Sequence, residues 1–148
     1  MRKFLSFCLG LFMFPNLVSA QEDYMKIKLS FDEKTVLINL YDNSASRQLA
    51  ALLPAEFDFR DYAGEEKITE FAKPLSLENA PRGMIAKAGE MFIFAPWGNM
   101  GIFYQDHGQT IDKALIPLGR VTKGLEHLAQ ARKNFTAKLE IIKEDEKQ

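Results

Sequence analysis

The sequence predicts a mainly β protein, a closed antiparallel β-barrel of about eight strands with two short capping helices. Most of the chain after residue 20 alternates apolar and polar residues with a period of two, which is typical of half-buried strands. These segments are short and separated by turn residues, and only two segments have helical spacing. Many short strands with few helices favour a barrel over a sandwich, because closure removes exposed strand edges.

The first elements are predicted to be a hairpin and a helix. Residues 27–31 and 36–40 alternate on either side of a short polar turn. Residues 42–44 (Asp-Asn-Ser) offer helix-capping side chains, and an apolar stripe follows over residues 45–53. Pro54 ends the helix, because proline cannot donate the helical hydrogen bond.

The remaining elements follow from the same patterns. Prolines and glycines between residues 74 and 90 predict a surface loop. A second helix is predicted after Gly124, with Leu125 and Leu128 on one face. Further strands are predicted at residues 57–59, 68–71, 91–95, 101–104, 114–118 and 135–141.

Residues 1–20 have the pattern of a cleaved secretory signal. Arg2 and Lys3 precede an apolar run, and Val18-Ser19-Ala20 supplies the small residues of a cleavage site. A retained N-terminal anchor is the alternative. Cys8 lies inside the run after the bulky Phe7, which is unlike a lipid-attachment site. Because Cys8 is the only cysteine, the mature chain is expected to have no disulfide.

The predicted mature chain, residues 21–148, has the size of one domain. Removing Arg2 and Lys3 from the 19 basic residues leaves 17 against 20 acidic residues, a net charge of −3. This mildly acidic balance, without a basic patch, argues against nucleic-acid binding. We expect a monomer without stable membrane insertion once the signal is cleaved.

Several segments resemble the cyclophilin family. Residues 119–125 (Gly-Arg-Val-Thr-Lys-Gly-Leu) resemble the cyclophilin pattern Gly-Lys-Val-x-x-Gly-Met, and residues 135–143 resemble its final strand. Four other stretches look like a bacterial cyclophilin-like family of uncharacterised function, namely residues 40–43, 61–64, 95–99 (Ala-Pro-Trp-Gly-Asn) and 103–104. The resemblance covers nearly all of residues 25–143. It implies the cyclophilin barrel, and the bacterial likeness favours a periplasmic location over full secretion.

The sequence departs from the prolyl isomerases of that family. Their Phe-His-Arg strand corresponds to residues 68–71, which contain no arginine and carry Glu70. Gly101-Ile102-Phe103 replaces their Gln-Phe-Phe. Lowering the ~20 kcal/mol barrier to X-Pro rotation requires stabilisation of a twisted amide. Unless Arg60 or Arg82 substitutes for the missing arginine, the chain is expected to be a poor isomerase.

The best candidate site is the aromatic segment 92–106. A groove with aromatic faces and a few polar groups would bind a small ligand or a peptide segment. Alternatively, Phe92, Phe94, Ile102 and Tyr104 only fill the barrel. Trp97, at a turn between Pro96 and Gly98, fits either interpretation. The predicted ligand-binding residues are Tyr62, Phe71, Arg82, Trp97, Asn99, Phe103 and Tyr104.

The sequence gives little support for metal binding or for glycosidase catalysis. His107 and His127 lack metal-ligand spacing, and we expect neither metal nor cofactor. Asp58, Asp61, Glu65 and Glu66 show no spacing that selects a glycosidase pair. The sequence therefore predicts an exported ligand-binding domain without efficient catalysis. Alternatives are a prolyl isomerase acting on extracytoplasmic proteins, and a structural interaction domain marked by an exposed apolar patch.

Overall fold

A computed structural model describes residues 21–143, so the predicted signal and Cys8 lie outside the described residues. Its helices and strands, in chain order, are β1 (Asp23–Phe31), β2 (Lys34–Tyr41), α1 (Ser44–Leu52), β3 (Ala55–Tyr62), β4 (Glu66–Thr69), β5 (Met84–Ile85), β6 (Glu90–Phe94), β7 (Asn99–Phe103), β8 (Ile111–Asp112), β9 (Leu115–Lys123), α2 (Leu125–Gln130) and β10 (Phe135–Ile141).

Eight of these strands form a closed antiparallel barrel, which confirms the predicted fold class. The order around the barrel is β1-β10-β3-β4-β7-β6-β9-β2. Fully buried apolar side chains from the strands fill the interior, and the buried residues of both helices join the same core. Leu49 of α1 and Leu128 of α2 have no exposed surface.

The first hairpin shows how local sequence sets the register. Asp32 and Glu33 have φ values of 46° and 61°, so both central turn residues are left-handed. Such turns match the twist of the flanking strands. The turn places Leu29 opposite Val36 and Ile27 opposite Ile38, with all four side chains in the core.

Helix α1 begins at its predicted cap. The Asn43 side chain accepts a hydrogen bond from the backbone N–H of Ser46 at 3.0 Å and donates one to the Pro117 carbonyl at 2.8 Å. The Ser46 hydroxyl donates to the Leu118 carbonyl at 2.8 Å. The cap therefore also attaches the helix to β9.

The prediction of a loop over residues 74–90 is wrong at β5. Met84–Ile85 pairs with Ile111–Asp112 in a separate two-stranded sheet. A two-residue strand has no run of alternating residues, so hydrophobic periodicity cannot reveal it. Met84 and Ala86 are buried with Phe92, Phe103 and Leu115 in a second, smaller apolar cluster.

Strands β6 and β7 are consequently buried on both faces. Met91 and Ile93 of β6 point into the barrel core, whereas Phe92 belongs to the outer cluster. On β7, Met100 and Ile102 point inward and Phe103 belongs to the outer cluster. The outer face of these two strands is the floor on which the candidate site is built.

Candidate functional site

A cavity of about 280 Å³ lies on the outer side of the barrel, over β6, β7 and the start of β4. The turn between β3 and β4 borders it, as do the β6–β7 turn and β8. Its lining consists of Tyr62, Ala63, Glu65, Glu66, Phe92, Phe94, Trp97, Asn99, Phe103, His107, Asp112 and Leu115.

Two stacked phenylalanines form the floor. The rings of Phe92 and Phe103 lie 4.3 Å apart at an interplanar angle of 20°. Gly101, opposite Phe92 in the ladder, makes room for the stack. A Cβ atom at Gly101 would lie 2.9 Å from Phe92 Cε1 and closer still to Cζ. The ring therefore lies directly on the backbone of β7.

Trp97 forms an exposed aromatic rim. It occupies the turn between β6 and β7, and the residue is 62% exposed. The indole meets Phe94 edge to face at 5.2 Å and Tyr62 edge to face at 5.9 Å. Because Tyr62 ends β3, the Tyr62–Trp97 contact joins two turns that are remote in sequence.

Asn99 carries a buried polar group without a partner. Only 4% of the residue is exposed, and its Oδ1 atom has no hydrogen-bond partner within residues 21–143. Such groups are rare in folded proteins, and leaving one unpaired costs about 1–3 kcal/mol. A carboxamide can both accept and donate hydrogen bonds, and Asn99 is the one residue of this type in the described lining.

Carboxylates lie at the other end of the cavity. Glu66 pairs with Phe103 across β4 and β7. Burial raises the pKa of Glu66 to about 7, and nearby Glu65 and Asp61 add to the rise while His107 opposes it. Glu66 therefore titrates near neutrality.

His107 and Glu65 form an ion pair at this end. The Nδ1 atom of His107 contacts Glu65 Oε2, and this hydrogen bond raises the pKa of the imidazole. The imidazole also stacks against Phe103, with centroids 5.9 Å apart and planes 12° apart. The pair is thus attached to the cavity floor.

The structure brings together four of the seven predicted ligand-binding residues. Tyr62, Trp97, Asn99 and Phe103 all line the cavity. Whether they bind a ligand stays a prediction.

The other three, Phe71, Arg82 and Tyr104, are not in the lining. Phe71 packs edge to face on Phe57 at 5.9 Å, beside a separate surface cleft. Arg82 lies in the segment that precedes β5. The Tyr104 hydroxyl donates to Asp61 at 2.6 Å. These three therefore do not line the cavity with the other four.

Tyr104 belongs to a network around a buried lysine. The Lys67 ammonium donates to Asp61 at 3.0 Å and to the Ala131 carbonyl at 2.7 Å. It also lies 5.1 Å from the centre of the Tyr104 ring. The Lys67 side chain is only 3% exposed, so its charge is compensated by these contacts rather than by water.

No arginine is found among the described residues that line the cavity. Arg60 makes a two-pronged pair with Glu70, at 2.6 Å for each N–O contact, on a different surface. The two arginines considered as substitutes in an isomerase site therefore do not line the aromatic cavity.

Sequence reasoning missed several lining residues. Phe92 and Phe94 were candidates for barrel filling, yet strand parity already places them on the face opposite Met91 and Ile93. Glu65 and Glu66 carried no distinctive spacing. His107 reaches the site only because residues 104–108 return across the β3–β4 turn, where the backbone N–H of Tyr104 donates to the Glu65 carbonyl.

Between residues 21 and 143, no group of three or more His, Cys, Asp or Glu residues is arranged to hold a metal ion. Neither helix in that range is long and apolar enough to cross a membrane.

Comparisons with known proteins place this fold. No curated protein is similar enough in sequence to count as a relative. The solution structure of the hypothetical protein AF2241 from Archaeoglobus fulgidus is similar, with a TM-score of 0.64 and 15% sequence identity, over 85% of this chain and 100% of that one. At this identity the likeness concerns the fold alone. The model of the Cyclophilin-like family matches residues 29–140. The chain belongs to the cyclophilin-like family.

Proposed function

We propose that this protein is a binding domain whose outer cavity holds one small ligand or a short piece of a peptide. A planar or apolar group of the ligand packs on the Phe92–Phe103 floor, and a ligand N–H or O–H donates to Asn99 Oδ1. The single observation that carries the proposal is the unpaired, buried Asn99 oxygen in the lining of a cavity whose floor is aromatic.

The size of the cavity limits the ligand. Sites for drug-sized molecules span about 300–1,000 Å³, and this cavity of about 280 Å³ lies just below that range. It suits a small molecule or one peptide side chain rather than an extended segment. The exposed Trp97 then covers part of the bound group.

Prolyl isomerisation remains the alternative activity, but the site adds no observation in its favour. The catalytic strategy of the family's isomerases uses a guanidinium, and the described lining has none. We expect no catalysis above background with a standard X-Pro peptide. Catalysis that disappears in Phe103→Ala would favour the isomerase instead.

We also propose that the protein is exported, with the periplasm as its location. Support comes from the sequence of residues 1–20, which has a basic start, an apolar run and a Val-Ser-Ala end. Mass spectrometry of the protein from a periplasmic extract is expected to give an N-terminus at Gln21. A full-length chain in the cytoplasmic fraction would contradict this.

A fragment screen by two-dimensional ¹H–¹⁵N NMR tests the binding proposal. Small aromatic compounds with one hydrogen-bond donor are expected to shift the amide signals of residues 62–66, 92–99 and 103–107. The best compound should lose affinity by about tenfold in Asn99→Leu, the equivalent of about 1.4 kcal/mol.

The control for this screen is Asn134→Leu, because Asn134 is exposed and lies outside the cavity lining. Its affinity is expected to match that of the unmodified protein. Shifts confined to other surfaces, or equal affinity in both asparagine variants, would refute a site built around Asn99.

A further inference from the structure

We propose that the ligand is a small organic cation, an aromatic amine whose ammonium group lies at the Glu66 end of the cavity and whose opposite end donates a hydrogen bond to Asn99. This inference rests on the proposed binding function and specifies its ligand class. Charge, aromatic faces and the spacing of the two polar ends of the cavity favour this class.

The charges that line the cavity favour a cation. Glu65, Glu66 and Asp112 supply three carboxyl groups, and His107 is the only basic residue among the described lining residues. His107 is already paired with Glu65. No lysine, arginine or histidine in residues 21–143 lies within 4.0 Å of the Glu66 or Asp112 carboxyl group. An anionic ligand would meet these carboxylates without compensation.

Aromatic faces flank the same end. Tyr62 is paired with Glu66 across β3 and β4, so the two side chains leave neighbouring backbone positions on the same face of the sheet. The Tyr62 ring reaches Trp97, and both of these aromatic side chains are largely exposed at the rim. An ammonium group within about 6 Å of such a ring gains about 0.5–2 kcal/mol from cation–π attraction. Carboxylate and aromatic groups therefore favour the same charge.

Asn99 is an independent indication of a ligand. It lies on β7 four residues before Phe103, which faces Glu66. At about 3.3 Å per residue, the two polar ends are about 13 Å apart along the strand. The Phe92–Phe103 floor lies between them. A flat ring with a donor at each end matches this order of polar, aromatic and polar surfaces.

The ionisation of Glu66 gives the binding a characteristic pH dependence. The groups that face Glu66 are Glu65 in the preceding turn, Asp61 on β3 and His107 after β7. With the pKa of Glu66 raised to about 7 by burial, much of the free protein carries the protonated carboxyl at neutral pH. A bound ammonium favours the ionised form, so binding should strengthen from pH 6 to pH 8 and release protons near pH 7.

Tyramine is the test probe, because it has an ammonium group, an aromatic ring and a phenol at the far end. Three matched compounds separate these features. Tyrosol replaces the ammonium by a hydroxyl, 3-(4-hydroxyphenyl)propionate replaces it by a carboxylate, and phenethylamine lacks the phenol. Dissociation constants are measured at pH 8 by calorimetry, and NMR shifts locate each compound.

For binding that shifts the NMR signals of the cavity residues, we expect tyramine to bind about tenfold more tightly than tyrosol. Tyramine should also bind more tightly than phenethylamine, and the propionate should bind most weakly. Glu66→Gln should weaken tyramine binding about tenfold and leave tyrosol binding within about twofold. Glu65→Gln, in the lining at the same end of the cavity, provides a second variant if Glu66→Gln does not fold. Glu78 is an exposed acid outside the lining, so Glu78→Gln should change the affinity for neither tyramine nor tyrosol.

The outcomes separate this inference from the proposed function. Equal binding of tyramine and tyrosol at the cavity overturns the proposal of a cationic ligand and leaves the binding function intact. So does unchanged tyramine binding in whichever of Glu66→Gln and Glu65→Gln folds. If no probe shifts the cavity signals while other fragments do, the ligand class is again overturned. If no fragment of any charge shifts them, both the inference and the proposed function fail.

Discussion

Phe92 and Phe103 stack on the outside of the barrel at a centroid distance of 4.3 Å, while their neighbours Met91 and Ile102 fill its interior. Each of the two central strands is therefore buried on both faces. The floor of the cavity and the barrel core share one backbone, so a displacement of either strand moves both surfaces. The proposed binding surface is therefore formed by the fold itself rather than assembled by a ligand.

The first prediction concerns the glycine beneath the stack. In Gly101→Ala, the new methyl group overlaps the Phe92 ring, which has to leave its position. We expect a loss of about 1–3 kcal/mol in the free energy of unfolding, measured by urea denaturation. Gly108→Ala is the control, because a Cβ there has no neighbour within 4 Å. Equal stabilities of the two variants would contradict the close contact.

The second prediction concerns the cost of the unpaired amide. Replacing Asn99 by leucine removes the buried Oδ1 atom and adds apolar surface beside the floor. The unliganded variant should be more stable than the unmodified protein by about 1 kcal/mol. A destabilising polar group is often kept where function needs it. A gain in stability on its removal is therefore typical of a functional site.

Asn43→Leu is the comparison for this effect. Asn43 has partners for both polar atoms of its side chain, at the start of α1 and on Pro117. Its replacement should destabilise the protein by about 1–2 kcal/mol. If both substitutions destabilise the fold to the same degree, then Asn99 has a partner that the structure does not show.

The third prediction is a pH dependence of stability that arises from Glu66. Burial raises its pKa to about 7 in the folded protein, above the usual 4.5. Between these two values the folded state holds a proton that the unfolded state has released. The stabilising contribution is therefore complete below pH 4.5 and is lost as the pH rises to about 7.

Glu66→Gln should flatten this dependence. The comparison with the unmodified protein is made between pH 4.5 and 6, because His107, with its raised pKa, acts in the same direction at higher pH. Partial exposure of Glu66 screens the effect, so we expect a difference on the order of 1 kcal/mol across the window. Parallel stability curves for the two proteins would show that Glu66 titrates normally.

The fourth prediction concerns the ion pair at the edge of the cavity. The hydrogen bond that the His107 imidazole donates to the Glu65 carboxylate raises the pKa of His107 above its usual 6.5. An NMR titration of the imidazole signals should show this rise, and Glu65→Gln should lower the His107 pKa. An unchanged titration in Glu65→Gln would mean that the pair does not form in solution.

Much of the barrel could be predicted because its signals are local. The alternation in residues 27–31 and 36–40, the cap at Asn43 and the stop at Pro54 each act within a few residues. Closure of the barrel depends instead on β10 pairing with both β1 and β3. Such long-range pairing has no local signature, and the family resemblance indicated it.

The site was predictable only in part for the same reason. Trp97 and Asn99 were predicted from the distinctive Ala-Pro-Trp-Gly-Asn stretch. Tyr62 and Phe103 belong to other stretches that resemble the family. His107 and Glu65 are 42 residues apart in sequence and meet only in the folded chain. Tyr104 looks like a site residue in the sequence, yet its hydroxyl is occupied by Asp61.

The most direct test of a site built around Asn99 is a crystal structure of the protein soaked with the best compound from the NMR screen. We predict that its ring lies on Phe92 and Phe103 beneath Trp97, with a donor atom about 2.7–3.2 Å from Asn99 Oδ1. A compound seated in another cleft, such as the one beside Phe71, with the Asn99 oxygen still unpaired, would contradict this assignment of the site.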